Sequence, residues 1–204
     1  DDAAWLDAAA GTILLAKTVT DADGDTASAS IDLSSDVFAI EDDGPSISLA
    51  AVNIPTMTLD ESPLADDGLW SVTADFAANF DVDYGTDGPG TTAFSLSLAG
   101  DDMGSGLYAL DPTDTSTQDG DGYGQGDEIM LEMDGDDIVG KADDTEYFRI
   151  SVDGDGVVTF TRSENIWHPV AGDDTDGEHD DAAWLDAAAG TILLAKTVTD
   201  ADGD

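Results

Sequence analysis

Apolar and polar side chains alternate along much of this chain. Phe94, Leu96 and Leu98 alternate with Ser95 and Ser97, and Ile129, Leu131 and Met133 with Met130 and Glu132. Phe148, Ile150 and Val152 alternate with Arg149 and Ser151, and Ala27, Ala29, Ile31 and Leu33 with Ser28, Ser30 and Asp32. A period of two is the pattern of a half-buried strand, because successive side chains point to opposite faces. Val, Ile, Thr and Phe recur in these runs, as strands favour. Asp-Gly turns, which tolerate the positive φ of tight hairpins, separate them. Asp153-Gly154-Asp155-Gly156 divides Tyr147–Val152 from Val157–Thr161, and Asp134-Gly135-Asp136-Asp137 divides Glu128–Met133 from Ile138–Lys141. Asp21 to Asp25 divides Thr12–Thr20 from Thr26–Ser34. Three hairpins without a long helical pattern predict an all-β, immunoglobulin-like sandwich of antiparallel, Greek-key strands. One stretch departs from this pattern. Residues 2–10 and 181–189 are Ala-rich, carry Asp at the start and end at Gly11 and Gly190, which predicts a short helix or an irregular turn.

Residues 1–25, DDAAWLDAAAGTILLAKTVTDADGD, recur letter for letter as residues 180–204, an offset of 179. An identity of that length marks a window cut from a tandem array whose unit is 179 residues long. Arrays of stacked units make length and extended surface rather than a single catalytic pocket. The best unit boundary is Glu41-Asp42-Asp43-Gly44-Pro45, because Pro45 cannot donate a ladder hydrogen bond and Gly44 lets the chain turn. Residues 1–43 are expected to be the C-terminal strands of a preceding unit, and residues 44–204 a β-sandwich unit lacking its last strand. The strand near Thr191–Thr199 then lacks the partner that Thr26–Ser34 supplies in the first copy, and an unpaired edge is a pairing hazard. Either the first copy's segment folds onto the second unit, as a circular permutation, or that edge frays or pairs with a neighbouring molecule.

Charge changes the picture more than composition does. Asp and Glu number 47 against 5 Lys and Arg, a net charge of −42. Nucleic acid is excluded as a partner, because binding it needs basic residues to displace counterions. Anionic membrane surfaces are disfavoured for the same reason. Such a charge opposes a compact state by self-repulsion. A solvated or disordered acidic chain is one reading; carboxylates offset by divalent cations is the other. The hydrophobic fraction of 41% and the alternating runs favour the second. With no cysteine in the chain, metal replaces disulfides as the expected crosslink. The longest aliphatic run, about Ile13 to Ala16, is far short of a membrane span. No secretion signal is visible, and an internal segment would show none.

Four acidic constellations are candidate cation sites. Asp21, Asp23 and Asp25, repeated as Asp200, Asp202 and Asp204, place three carboxylates at alternate positions around a glycine. Calcium takes six to eight oxygens in flexible geometry and suits such a turn, whereas magnesium demands a stricter octahedron. The motif is not an EF-hand, since its twelfth position is Asp32 rather than Glu. An ordinary Asp-Gly hairpin turn is the bland alternative. Glu41, Asp42 and Asp43 at the unit boundary repel one another unless bridged, and Glu61 lies early in the same unit to complete that site. Asp119, Asp121 and Asp127 sit in a glycine-rich acidic loop that suits calcium or plain flexibility. Asp173, Asp174 and Asp176 precede His179, but two histidines and no cysteine supply a zinc site poorly. His168, between Trp167 and Pro169, reads as a packed or hydrogen-bonded residue.

Enzyme signatures are thin. With this much Asp, a close carboxylate pair is inevitable and does not argue for a glycosidase. Gly104-Ser105-Gly106 is not a nucleophile elbow, and no phosphate-cradling loop is present. No catalytic residue is expected. Trp70, Tyr84, Tyr108 and Tyr123 could stack on sugars, though singletons in a sandwich more often pack.

Thr18-Val19-Thr20-Asp21-Ala22-Asp23-Gly24-Asp25-Thr26-Ala27, followed by Glu41-Asp42-Asp43-Gly44-Pro45, resembles the tandem repeats of giant RTX adhesins, type I-secreted surface proteins of Gram-negative bacteria. Leu59-Asp60-Glu61-Ser62, Tyr84-Gly85-Thr86-Asp87-Gly88, Val139-Gly140 and Asp153-Gly154-Asp155-Gly156-Val157-Val158-Thr159 resemble landmarks of one long repeat class in that family. The resemblance implies an extracellular β-sandwich extender. It implies several calcium ions within domains and at joints, and a distal ligand-binding domain held away from the cell for attachment and biofilm formation. Adjacent repeat units of the same chain are the expected partners of an otherwise monomeric module. A calcium-dependent carbohydrate- or peptide-binding sandwich is the second function expected. A unit of 179 residues exceeds the roughly 100 of a simple sandwich, so extra strands are expected.

Overall fold

A computed structural model describes residues 3–61, 69–116, 122–168 and 182–203. Those residues form an all-β, antiparallel sandwich-class fold in two compact units. The first unit comprises Asp1–Ser46, Asp83–Gly90 and Thr199–Asp204; the second comprises Ile47–Val82 and Thr91–Val198. No described helix is long and apolar enough to cross a membrane.

In the first unit, strand β1 (Ala3–Trp5) pairs with β4 (Ala39–Glu41), and β2 (Leu14–Thr20) pairs with β3 (Thr26–Asp32). The Asp21–Asp25 turn closes the β2–β3 hairpin as its composition predicts, with the Asp21 N–H donating to the Asp25 carbonyl at 2.9 Å. The predicted short helix is absent, and β1 stands in its place. An isolated helix of nine residues is marginal in water. Here Leu6 and Ala8 instead donate their N–H groups to the Phe38 and Ser34 carbonyls, at 2.9 and 2.8 Å. In the second copy, residues 182–188 are irregular; Ala183, Leu185 and Ala187 turn inward, and the Asp186 N–H donates to the Ser105 carbonyl at 2.9 Å.

The second unit is built on a meander. β9 (Met103–Leu110), β10 (Gln125–Asp134), β11 (Asp137–Ala142), β12 (Thr145–Val152) and β13 (Val157–Arg162) run in sequence order through one sheet, and β6 (Ser71–Asp75) adds to β13. β5 (Ser46–Leu49) pairs with β7 (Phe80–Asp83), which follows a single 3-10 turn at Ala77–Asn79. β8 (Pro89–Leu98) pairs with β14 (Ile192–Asp200). The two-residue turn between β10 and β11 puts Gly135 at φ 66°, where a side chain would be strained.

Period-two alternation places the core. Leu96 of β8, Leu107 and Ala109 of β9, Ile129 and Leu131 of β10, Ile138 and Ala142 of β11 and Phe148 of β12 form one buried cluster. Phe148 crosses Gly140 on the neighbouring strand, where a Cβ would collide with its ring, and meets Phe160 edge-on at 5.5 Å.

Candidate metal centre

Two groups of carboxylates converge among the described residues, both within the first unit. Asp21, Asp23 and Asp25 lie on the β2–β3 turn, all exposed. Asp21 Oδ1 accepts the N–H groups of Gly24 and Asp25 at 3.1 and 2.9 Å. A hydrogen bond with the Asp23 side chain, aided by backbone amides, holds the Asp21 carboxyl below its usual range.

The second group is Asp42, Asp87, Asp200 and Asp202. Asp42 follows β4, Asp87 lies between β7 and β8, Asp200 ends β14, and Asp202 follows it. Backbone close-packing brings these segments together. Gly85, at φ 67°, lies against the Asp43 carbonyl, and Gly90 against the Asp200 carbonyl; a Cβ at either would clash. Asp200 is 2% exposed. Its Oδ1 accepts the Gly203 N–H at 3.0 Å, whereas Oδ2 is enclosed and receives no hydrogen bond. The Asp87 carboxyl is pushed up, first by a hydrogen bond with the Asp42 side chain, then by desolvation and by the charges of Asp42, Asp200 and Asp43. Like charges in one place thus make the ionised form costlier, a cost that a cation would offset.

The donor set fits a hard divalent cation. Every ligand atom is a carboxylate oxygen, and within each group they lie within 4.8 Å of one another. Two oxygens on opposite sides of a calcium ion are about 4.6–5.2 Å apart, twice a Ca–O distance of about 2.3–2.6 Å. Opposite oxygens on magnesium are about 4.0–4.2 Å apart, which the same upper bound also admits, so the spacing fits a divalent cation of either size.

The other residues singled out in the sequence are placed differently. Glu41 ends β4 opposite Ala3, and Asp43 contributes its charge and its carbonyl rather than a clustered carboxylate. Glu61 is engaged elsewhere: Oε1 accepts the Ile166 N–H at 2.8 Å, and Oε2 lies 3.5 Å from His168 Nε2. His168 thus lies beside a carboxylate, half-buried. Asp127 is an exposed residue of β10. Asp119, Asp121, Asp173, Asp174, Asp176 and Asp204 lie outside the described residues. Asp87 was passed over by sequence reasoning, although Gly85 and Gly88 around it signalled a tight turn.

In the meander, the protein's own cation meets the acids. Arg149 reaches Asp137 through Nη1 at 2.9 Å, and Asp134 and Glu146 through Nη2 at 2.7 and 2.8 Å. These partners raise its pKa, and Arg149 in turn holds Asp134 below the usual carboxylate range. Lys141 pairs with Glu132 at 3.1 Å.

The family model described as a domain of unknown function, DUF5801, matches residues 56–204. The chain belongs to this family. No curated protein and no solved structure matches. The DUF5801 match takes in Asp87, Asp200 and Asp202, and Asp42 precedes it.

Proposed function

We propose that the chain is a structural spacer, an extender repeat of a secreted bacterial surface adhesin, rigidified by calcium. The convergence of Asp42, Asp87, Asp200 and Asp202 carries this reading. Asp42 belongs to the segment between successive repeats, Asp87 to a loop of the following repeat, and Asp200 and Asp202 to that repeat's closing motif. One divalent ion there ties a repeat boundary to residues more than a hundred positions away. The exposed Asp21–Asp25 turn is a second, weaker position. An array so pinned projects a distal binding domain from the cell, and an acidic chain without the ions softens at each boundary. Binding to the folded state alone adds to stability as RT ln(1 + [L]/Kd), about 2.7 kcal/mol at a hundredfold excess over Kd. For a chain of this size that is about 5–11 °C in Tm. Thermal unfolding in calcium, in magnesium and in chelator tests the proposal, with the highest midpoint expected in calcium. Three equal midpoints would remove the mechanism.

A calcium-dependent carbohydrate- or peptide-binding module is the second reading. It is favoured by an open groove lined by Trp70, Leu110, Pro112, Tyr147, Glu164 and Asn165. Arg162 already covers one face of the Trp70 ring at 4.2 Å, and none of the clustered carboxylates lines the groove. Saturable sugar or peptide binding lost on Trp70→Ala would favour this module over the spacer.

A further inference from the structure

The open groove of the second unit carries charge of one sign. Trp70, Leu110, Pro112 and Tyr147 line it with apolar and aromatic surface around a space of about 660 Å³, and Glu164 is the charged residue of its lining. The Tyr147 carbonyl accepts the N–H groups of Ser163 and Glu164, at 2.7 and 3.4 Å, which sets Glu164 beside Tyr147. Tyr147 also packs on the core, so its ring is held in place. Burial, and then the charges of Glu164, Asp143 and Asp127, push the Tyr147 hydroxyl up. Three carboxylates therefore surround this one ring. All three are exposed, and none forms an ion pair among the described residues. The unit's own cations are engaged elsewhere. Lys141 and Arg149 pair with other acids, and Lys196 Nζ lies 5.2 Å from the Phe94 ring centre. Arg162, 6% exposed, donates to the Leu69 and Asp60 carbonyls and to Asn165 Oδ1, at 3.1, 3.2 and 2.8 Å. Glu164, Asp143 and Asp127 belong to neither convergent carboxylate group. Acids spread around an aromatic wall suit a large organic cation rather than a bare metal ion.

We propose that this groove receives a basic side chain, lysine or arginine, of a partner polypeptide. The alkyl stem lies along Trp70, Leu110 and Pro112, and the charged head reaches Glu164 and the Tyr147 hydroxyl. Trp70 already holds a cation in this protein, since the Arg162 guanidinium stands 4.2 Å from its ring centre. Buried beneath the ring, Arg162 fixes Trp70 and Asn165 in place. Its own charge steers an incoming cation away from itself and toward Glu164. A net charge of −42 attracts every cation at long range, whereas the apolar lining rewards only one that carries a hydrocarbon stem. The groove is open, which leaves room for main chain on either side of the basic residue and favours a polypeptide over a free polyamine. Repeated units present one such groove each, so a partner with several basic residues gains by multivalency. This inference rests on the groove of the second reading and is independent of calcium.

An NMR titration of the 204-residue chain in calcium tests it, at about 0.15 M salt, where long-range attraction is screened. The probes are acetyl-Gly-Lys-Gly-amide and the same peptide with norleucine in place of lysine. Saturable shifts of the Tyr147, Ser163, Glu164 and Asn165 amides are expected with the lysine peptide. The norleucine peptide should bind about two- to fivefold more weakly, the value of a cation contact at an exposed site. Glu164→Gln should weaken the lysine peptide by the same factor and leave the norleucine peptide unchanged. Asp155→Asn removes an equal charge from the turn at the far end of the β12–β13 hairpin and should alter neither. Lysine binding indifferent to Glu164→Gln, or weakened as much by Asp155→Asn, overturns the proposal. Equal binding of the two peptides also overturns it, while leaving the groove of the second reading standing. Spermidine bound at the same amides as tightly as the lysine peptide would make a free polyamine the occupant and refute the partner polypeptide. No shift at these amides with any probe, in an otherwise well-dispersed spectrum, would remove this inference and the second reading together.

Discussion

Gly90→Ala perturbs the carboxylate centre without touching its charge. The added Cβ would stand 2.5 Å from the Asp200 carbonyl carbon and 2.9 Å from the Thr199 oxygen, and nearer still to the Asp200 oxygen, whereas real Cβ atoms essentially never approach within 3.0 Å. The atoms involved are backbone, so the end of β14 must retreat by more than half an ångström. Overpacking of this kind costs about 1–3 kcal/mol. At about 2–4 °C per kcal/mol for a chain of this size, Tm falls by about 2–12 °C. The retreat carries Asp200 and Asp202 with it and opens a cage whose oxygens now lie within 4.8 Å of one another. The gain in Tm on adding calcium should therefore also shrink. Gly44→Ala is the control: it lies beside Asp43, has no positive φ and meets nothing within 4 Å. Differential scanning calorimetry of both variants, with calcium and with chelator, checks the reasoning. A Gly90→Ala protein with the Tm and calcium response of the parent would refute it, as would equal losses in Gly44→Ala.

Further outcomes follow from the same geometry. Asp200→Asn should reduce the calcium-induced rise in Tm far more than Asp21→Asn, because Asp200 is 2% exposed among three further carboxylates while Asp21 is exposed among two; paired thermal melts read the difference. In chelator, lowering the pH from 7 toward 4 should stabilise the first unit through Asp87. Its raised pKa makes the folded state the better proton binder above 3.8, so stability falls as pH rises through that window, and calcium should remove the dependence. Arg149→Met should cost about 1 kcal/mol in urea unfolding, a modest figure because the guanidinium is a third exposed. It should also weaken the acid limb: Asp134, whose pKa is depressed, contributes stability above 3.8 that is lost as pH falls through its folded value. Phe148→Ala should cost about 3–5 kcal/mol by the same measurement, since the ring is 2% exposed and packs across Gly140.

The strands and turns of the second unit were legible because their causes are local. Ile129 and Leu131 alternate with polar or half-exposed neighbours, and Asp153 caps its own turn, its Oδ1 accepting the Asp155 and Val157 N–H groups at 3.0 and 2.9 Å. The candidate centre was half legible. Asp42, Asp200 and Asp202 stood in acidic runs, but Asp87 joins them through close approaches at Gly85 and Gly90, which the sequence shows only as turn residues. Glu61 sits in a suggestive acidic stretch, yet its carboxylate is taken by Ile166 and His168, over a hundred residues away. The Ala-rich segment read as a short helix or an irregular turn because nine residues carry propensity information and no tertiary information; the Phe38 and Ser34 carbonyls, distant along the same chain, decided it. Residues 14–20 and their copies make the limit plain, since one sequence is bare in β2 and half-covered in β14.

Calcium bridging of Asp42, Asp87, Asp200 and Asp202 is tested most directly by a crystal structure grown in millimolar calcium and measured for anomalous scattering. A bridged centre gives an anomalous peak among these carboxylates, with oxygens at about 2.3–2.6 Å and six to eight ligands in all. Density with water alone between the four side chains, in crystals saturated with the ion, would contradict the role assigned to them.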